Sequence, residues 1–145
     1  MIRAATVQDV PLLADLGPDY LREAKAGGTY SREATERSLN AMLADPGYRI
    51  VVEDIDGALA GAAIFALDSA WTVEPWLYIQ SFYVAPWARG AGVGRALMAE
   101  AVRVAEASGA AGTFAIAGAG KLFANLAAKF GFAPCGEIYM RNRNA

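Results

Sequence analysis

Apolar positions change their spacing several times along the chain, and each change marks an element. Ile2–Ala5 predicts a short first strand. In Thr6-Val7-Gln8-Asp9 the Thr and the acid three residues later have capping-box spacing. Val10, Leu13 and Leu16 follow at helical period, and Gly17-Pro18 predicts the end of that helix. Residues 18–30 read as irregular. Ser31 then opens a second helix whose apolar face is Ala34, Leu39, Met42 and Leu43, stopped by Asp45-Pro46-Gly47. Tyr48–Glu53 and Ala58–Leu67 predict two strands joined by the turn Asp54-Ile55-Asp56-Gly57, hence an antiparallel hairpin.

Leu77–Val84 is a third run of this kind, rich in aromatic and β-branched residues. A glycine-rich segment follows. A long helix is then predicted from about Gly92 to Ser108, with Leu97, Met98, Ala101, Val104 and Ala105 as its stripe and Gly109 after its end. Gly112–Ala117 reads as a buried strand and Gly120–Phe130 as a helix closed by Gly131. Phe132-Ala133-Pro134 and Glu137–Arg141 read as a last pair of extended segments. Strand–helix–strand through 77–117 implies a right-handed parallel unit beside antiparallel neighbours. The expected fold is therefore α/β, with a mixed, mostly antiparallel sheet of six to seven strands flanked by helices on both faces. No linker or repeat divides residues 1–145, so one domain is expected.

Composition narrows the chemistry. The 145 residues include no His and one Cys. Ser-His-Asp and Cys-His nucleophiles, histidine-ligated metal and an intrachain disulfide are excluded, and no metal is expected. Cys135, after Pro134, reads as structural. A general base must come from a carboxylate, Tyr, Lys or a held water. A net charge of −2 argues against a nucleic-acid partner. The hydrophobic fraction of 55% is inflated by 32 alanines, and no apolar stretch reaches the ~20 residues that span a bilayer. With no apolar signal region at Met1–Thr6, a soluble, reduced, cytoplasmic protein is expected.

The most informative segment is Arg89-Gly90-Ala91-Gly92-Val93-Gly94-Arg95, between a strand and a helix. Glycines permit a tight turn and close approach of a ligand, and the first amides of a helix attract anions. Two phosphate motifs fail. Gly-x-Gly-x-x-Gly meets Arg95 or Leu97 at its third glycine, and around Gly118-Ala119-Gly120-Lys121 the P-loop has Ala115 and Leu122 at required positions. Arg-x-x-Gly-x-Gly is matched by Arg89, Gly92 and Gly94. The bland alternative is a strand-to-helix turn that holds no ligand.

The run from Ile79 to Met98 resembles the acetyl-CoA-binding motif of the GNAT superfamily of N-acetyltransferases. Ile2-Arg3 with Asp9-Val10 resembles that family's opening, and Lys129-Phe130-Gly131-Phe132 its Lys-x-Gly-Phe signature. The element order matches over nearly the whole chain. The resemblance implies acetyl-CoA as cofactor and direct transfer to a primary amine of a small molecule or peptide. It places the pyrophosphate on the backbone of Arg89, Gly90, Ala91, Gly92, Val93 and Gly94, with Arg95 following. It also places the pantetheine arm along Phe82, Tyr83 and Val84, where the parallel strands splay, and a carbonyl-polarising amide near Tyr83 or Val84. A homodimer is common in the family.

The resemblance fails at two positions. Ala127 stands where many members have a proton-donating Tyr, and Gly120 where many have an Asn. Tyr83 and Tyr139 are the substitutes the sequence offers. Glu74, in Trp71-Thr72-Val73-Glu74-Pro75-Trp76, is the leading candidate base, and Asp68 the second; the alternative is a solvated loop charge. Tyr78 and Gln80 are expected to share a strand face with Phe82, where they would hold a water or the acceptor, or merely pack. The acceptor is expected over residues 17–30 and 68–76. There Tyr20, Tyr30, Trp71 and Trp76 could stack on a cation, and Asp19, Glu23, Asp68 and Glu74 attract it. Trp71, Trp76 and Trp87 equally suit an interface between copies. The missing Tyr and Asn leave a rival function, an acyl-CoA-binding or sensory module without efficient catalysis. A nucleotide switch is disfavoured by the failed motifs.

Overall fold

The structure is a computed structural model that describes residues 1–145 except 26, 70, 117–121, 137, 138, 140 and 142–145. Its sheet has five strands in the order β1-β2-β3-β4-β5, formed by Ile2–Ala4, Tyr48–Ile55, Ala58–Asp68, Trp76–Val84 and Gly112–Ala115. The first four pair antiparallel in sequence order, and β5 joins β4 in parallel. At the hairpin between β2 and β3, Asp56 and Gly57 both take positive φ, 53° and 84°, as a twist-matched two-residue turn requires. The Asp54 carboxylate accepts the Gly57 N–H at 2.8 Å.

Helices cover both faces. On one, α3 (Val93–Ala107) and α4 (Leu122–Ala128) pack on Val51, Ala63, Phe65, Leu77 and Ile79. On the other, α1 (Val10–Ala24) and α2 (Arg32–Ala44) pack on Ile50, Val52 and Leu59. Alternate residues of β2 go to opposite cores, which is why Ile50-Val51-Val52 is apolar throughout. The Ser31 hydroxyl accepts the Ala34 N–H at 3.1 Å, as its cap position requires.

Two expectations are corrected, and a third is met in part. The sheet has five strands among the described residues, where six to seven are expected. Residues 132–136 are irregular, and Phe132, the first of them, closes α4 instead of joining a ladder. Gly131, at φ 85°, donates to Ala128 O, and Phe132 N–H reaches back to Ala127 O at 3.2 Å. Part of the other expected segment, at 137, 138 and 140, lies outside the described residues, as do the expected ends Ala117 of β5 and Gly120 of α4.

Next, α1 does not stop at Gly17-Pro18 but runs through to Ala24. Pro18 has no N–H for the Ala14 carbonyl, which would be left without a ladder bond. Tyr30 replaces it: its hydroxyl donates to Ala14 O at 2.6 Å. Gly17 makes the room, since a Cβ there would lie 2.4 Å from the Tyr30 ring.

Finally, Phe82 does not share a face with Tyr78 and Gln80. Ile64 pairs with Ser81 but Phe65 pairs with Ile79, so Gln80 is an extra residue in β4. This bulge inverts the alternation: Leu77 and Ile79 face α3 before it, Phe82 and Val84 after it.

At the other end of the sheet, Arg3 grips the nearly buried Asp9 with two bonds of 2.8 and 2.9 Å, and Asp9 also accepts the Thr6 N–H at 2.8 Å. The Arg3 bonds hold the Asp9 carboxyl down at about 2. Because this folded value lies below the unfolded one, the stabilisation is complete above pH ~4 and is lost as pH falls toward 2. Asp9→Ala is expected to cost about 2–4 kcal/mol at pH 7 and to flatten the acid limb, measured by urea unfolding from pH 2 to 7. Tyr30→Phe keeps the ring over Gly17 but removes the bond to Ala14 O, and is expected to lower the urea midpoint by the equivalent of about 1 kcal/mol.

Candidate functional site

The site is organised by β4 and the turn after it. Ala85 N–H returns to Ala60 O at 2.8 Å, which fixes where the chain leaves the sheet. A 3₁₀ turn over Pro86–Ala88 leads into Arg89. Gly90 and Gly92 then take φ of 84° and 83°, values that L side chains rarely adopt, which explains glycine at both positions. Gly92 is the N-cap of α3, whose first ladder bond is Ala96 N–H to Gly92 O at 3.0 Å. The amides of residues 92–95 therefore stand outside the ladder at the positive end of a 15-residue helix. Arg95 is exposed there and Val93 is buried. A helix N-terminus of this kind attracts an anion; within the turn before it, the Arg89 and Ala91 N–H groups are taken up by Pro86 O and Ala88 O.

The parallel ladder between β4 and β5 ends at Ile79 and Ala115, one residue before the bulge, while β4 continues to Val84. From Gln80 onward β4 has no ladder partner on its β5 side among the described residues. Phe82 there meets Phe123 of α4 edge-on, with centroids 5.1 Å apart. Gly94 lies against the same region, where a Cβ would come within 3.3 Å of Leu126. The open edge leads directly into the glycine turn.

Ser81 and Tyr83 face the opposite way, into a cleft of about 350 Å³ between α1, α2 and the sheet. Tyr20 donates to Ser81 Oγ at 3.2 Å and meets Tyr83 edge-on at 6.1 Å. Tyr83 is only 7% exposed, and its hydroxyl is buried without a hydrogen-bond partner among the described residues. Burial first, then the carboxylates of Glu23 and Asp19, push the Tyr83 phenol up from its ordinary value.

Arg89 closes one side of this arrangement. Its Nε donates to Val84 O at 3.1 Å, and its Nη2 bonds both Glu23 oxygens at 2.7 and 2.8 Å. The guanidinium carbon lies 5.8 Å from the Tyr83 ring centroid. The arginine of the glycine motif thus ties the turn to α1. The sequence carries no signal for this pairing, because the partners are 66 residues apart.

Of the expected catalytic residues, only Tyr83 lines the cleft. Glu74 is exposed in the loop before β4, where its carbonyl accepts the Thr72 hydroxyl at 2.6 Å. Tyr139 is 87% exposed. Tyr20 and Tyr30 line the cleft; Trp71, almost wholly exposed, and Trp76, packed on Gly112, do not. Ala127 is buried in the α3-side core, and Gly120 lies outside the described residues. Cys135 is exposed. No helix among the described residues is long and apolar enough to cross a membrane.

Comparison with known proteins places this arrangement. Solved structures share the fold at low identity. A predicted acetyltransferase from Clostridium acetobutylicum, crystallised with acetyl-CoA, superposes with a TM-score of 0.81 at 20% identity over 98% of this chain and 95% of its own. The ribosomal-protein-alanine N-acetyltransferase of Brucella melitensis biovar Abortus gives 0.80 at 22% identity, covering 98% and 97%. An aminoglycoside 6'-N-acetyltransferase from Acinetobacter haemolyticus gives 0.78 at 14%, covering 99% and 97%. No curated protein is significantly similar in sequence. The sequence profile of the acetyltransferase (GNAT) family matches residues 13–132, from α1 through the end of α4, and the chain belongs to that family of acyltransferases.

Proposed function

We propose that the protein transfers the acetyl group of acetyl-CoA directly to a primary amine of a small molecule or peptide bound in the same complex. One observation carries this reading. The end of β4, open on its β5 side among the described residues, runs into the glycine turn and the α3 N-terminus on one face, and the cleft opens on the other face of the same residues. The glycine turn fits a pyrophosphate: Gly90 and Gly92 have open space where a Cβ would stand, and the first α3 amides have no ladder partner. The backbone of residues 89–94 and the exposed Arg95 would hold it, and Phe82–Val84 would pair with the pantetheine arm like an added strand.

The bound thioester supplies an activated acetyl carbon. The acceptor nitrogen forms a bond to that carbon as the C–S bond breaks; the nitrogen releases a proton and the leaving sulfur takes one up. An amide near Tyr83 or Val84 would polarise the carbonyl. Tyr83, whose phenol stays protonated at neutral pH, is the candidate donor to the sulfur. Glu74 and Tyr139 remain the other candidate proton carriers, but both lie on exposed segments. The buried Ala127, where many family members have a donating Tyr, favours a second reading: acyl-CoA binding without efficient transfer.

Titration calorimetry with acetyl-CoA is expected to show binding; none at millimolar ligand would overturn the proposal. Gly92→Glu puts a side chain at positive φ and a negative charge at the α3 N-terminus, and is expected to weaken binding about a hundredfold or more, ~2.7 kcal/mol, with an unchanged circular dichroism spectrum. Tight acetyl-CoA binding with no acetylated product from a broad amine panel would select the second reading.

A further inference from the structure

The cleft between α1, α2 and β2–β4 has a composition that bears on its occupant. Its walls are aliphatic: Leu13 and Leu16 from α1, Leu39 and Met42 from α2, Ala62 and Ile64 from β3. Ala62 and Ile64 lie mid-strand yet are only half-buried, because the cleft stands over them. None of the residues lining it is charged. Its polar groups are Thr35 and Ser38 of α2, the Tyr20 and Tyr30 hydroxyls, which are already hydrogen-bonded, and on β4 Gln80 and Ser81, which both face it because of the bulge, beside the buried Tyr83 hydroxyl.

The carboxylates around it are already matched. Asp15, Asp19 and Glu23 recur every fourth residue on α1, and each is in an ion pair with an arginine. Asp15 bonds Arg32 at 2.5 Å, Asp19 bonds Arg22 at 2.7 Å, and Glu23 bonds Arg89 at 2.7 Å. A polycation would need several unmatched carboxylates in place of these pairs. A single amine needs only a few oxygen acceptors.

We propose that this cleft is the acceptor subsite and that it selects a monoamine carried on an apolar, ring-sized body. The body would be that of a free arylalkylamine or the N-terminal side chain of a peptide. The proposal rests on the acetyl-transfer reading above and names its acceptor class. The apolar body sits between the helices and Ala62–Ile64, and the amine lies at β4. There Gln80 Oε1, Ser81 Oγ and the Tyr83 hydroxyl oxygen accept its N–H groups. That end of the cleft is the β4 segment whose other face borders the open edge, so the nitrogen is brought to the strand along which the acetyl group would lie. The acceptor supplies a partner for the buried Tyr83 hydroxyl, which has none among the described residues.

Titration calorimetry of the full chain, alone and saturated with coenzyme A, tests this with 2-phenylethylamine, the peptide Phe-Gly-Gly and spermidine. At least one aromatic amine is expected to bind about tenfold or more tightly than spermidine, and the tighter of the two identifies the source of the body. Ala62→Phe fills the cleft from the sheet and should weaken that binding about tenfold or more while leaving acetyl-CoA affinity unchanged. Ala34→Phe does the same from α2 should the first variant fail to fold. Tyr83→Phe should weaken the amine and raise the melting temperature of the free protein. Spermidine binding as tightly, unchanged aromatic-amine affinity in a folded filled variant, or no binding of either aromatic amine would overturn the proposal. Aromatic-amine binding without acetyl-CoA binding would instead overturn the transfer reading and leave the selectivity of the cleft standing.

Discussion

One extra residue in β4 sets the arrangement of the site. With Gln80 inserted opposite Ile64 and Phe65, the strand exchanges its faces. Leu77 and Ile79 bury toward α3 before the bulge, and Phe82 and Val84 do so after it. Gln80, Ser81 and Tyr83 are thereby left to the α1–α2 side. A bulge also bends its strand, and the parallel ladder to β5 stops at Ile79, the residue before it. Were the same residues paired in unbroken alternation, with Gln80 opposite Ile64, Phe82 would face the cleft and Tyr83 the α3 core. The aromatic edge beside the glycine turn and the phenol in the cleft would exchange places.

A second local accommodation makes the cleft possible. Tyr20 and Glu23 reach β4 and Arg89 because α1 continues past Pro18. That continuation depends on Tyr30 donating to Ala14 O and on Gly17 leaving room for its ring. Tyr30 also lines the cleft, so the side chain that repairs the helix forms part of the wall the helix provides. Gly17-Pro18 is thus a break in local propensity compensated by a tertiary contact, and the contact lies beside the site.

These two features show where the sequence stops being legible. Period and turn chemistry were sufficient for the hairpin at Asp56-Gly57, the Ser31 cap, the stripe of α3 and the glycine turn, because each depends on residues within a few positions. The bulge, the Tyr30 bond and the Arg89–Glu23 pair depend on partners far away in sequence, and alternation gives no sign of an inserted residue. Alternation alone puts Gln80 on the face of Phe82 for that reason. Pro18 reads as a stop because its missing N–H is a local fact, whereas the replacing hydroxyl is twelve residues away. The neighbours Gly92 and Gly94 fix the turn at Arg89 but not the direction of its guanidinium.

That direction has a consequence. Arg89 stands at the start of the glycine turn, yet its side chain crosses to Glu23 and lies over Tyr83. One residue therefore joins the two halves of the proposed reaction: its backbone opens the glycine turn, and its guanidinium lies over the ring of Tyr83, which lines the cleft. The positive charge above the ring partly offsets the carboxylates that raise the Tyr83 phenol, but burial is the larger effect and the proton stays. In a chain without histidine this is a workable solution. A phenol that keeps its proton serves as a donor near neutral pH, and direct transfer to an amine needs no nucleophile from the protein. The base that accepts the amine's proton need not be buried beside it, since the cleft is open and water can carry the proton out.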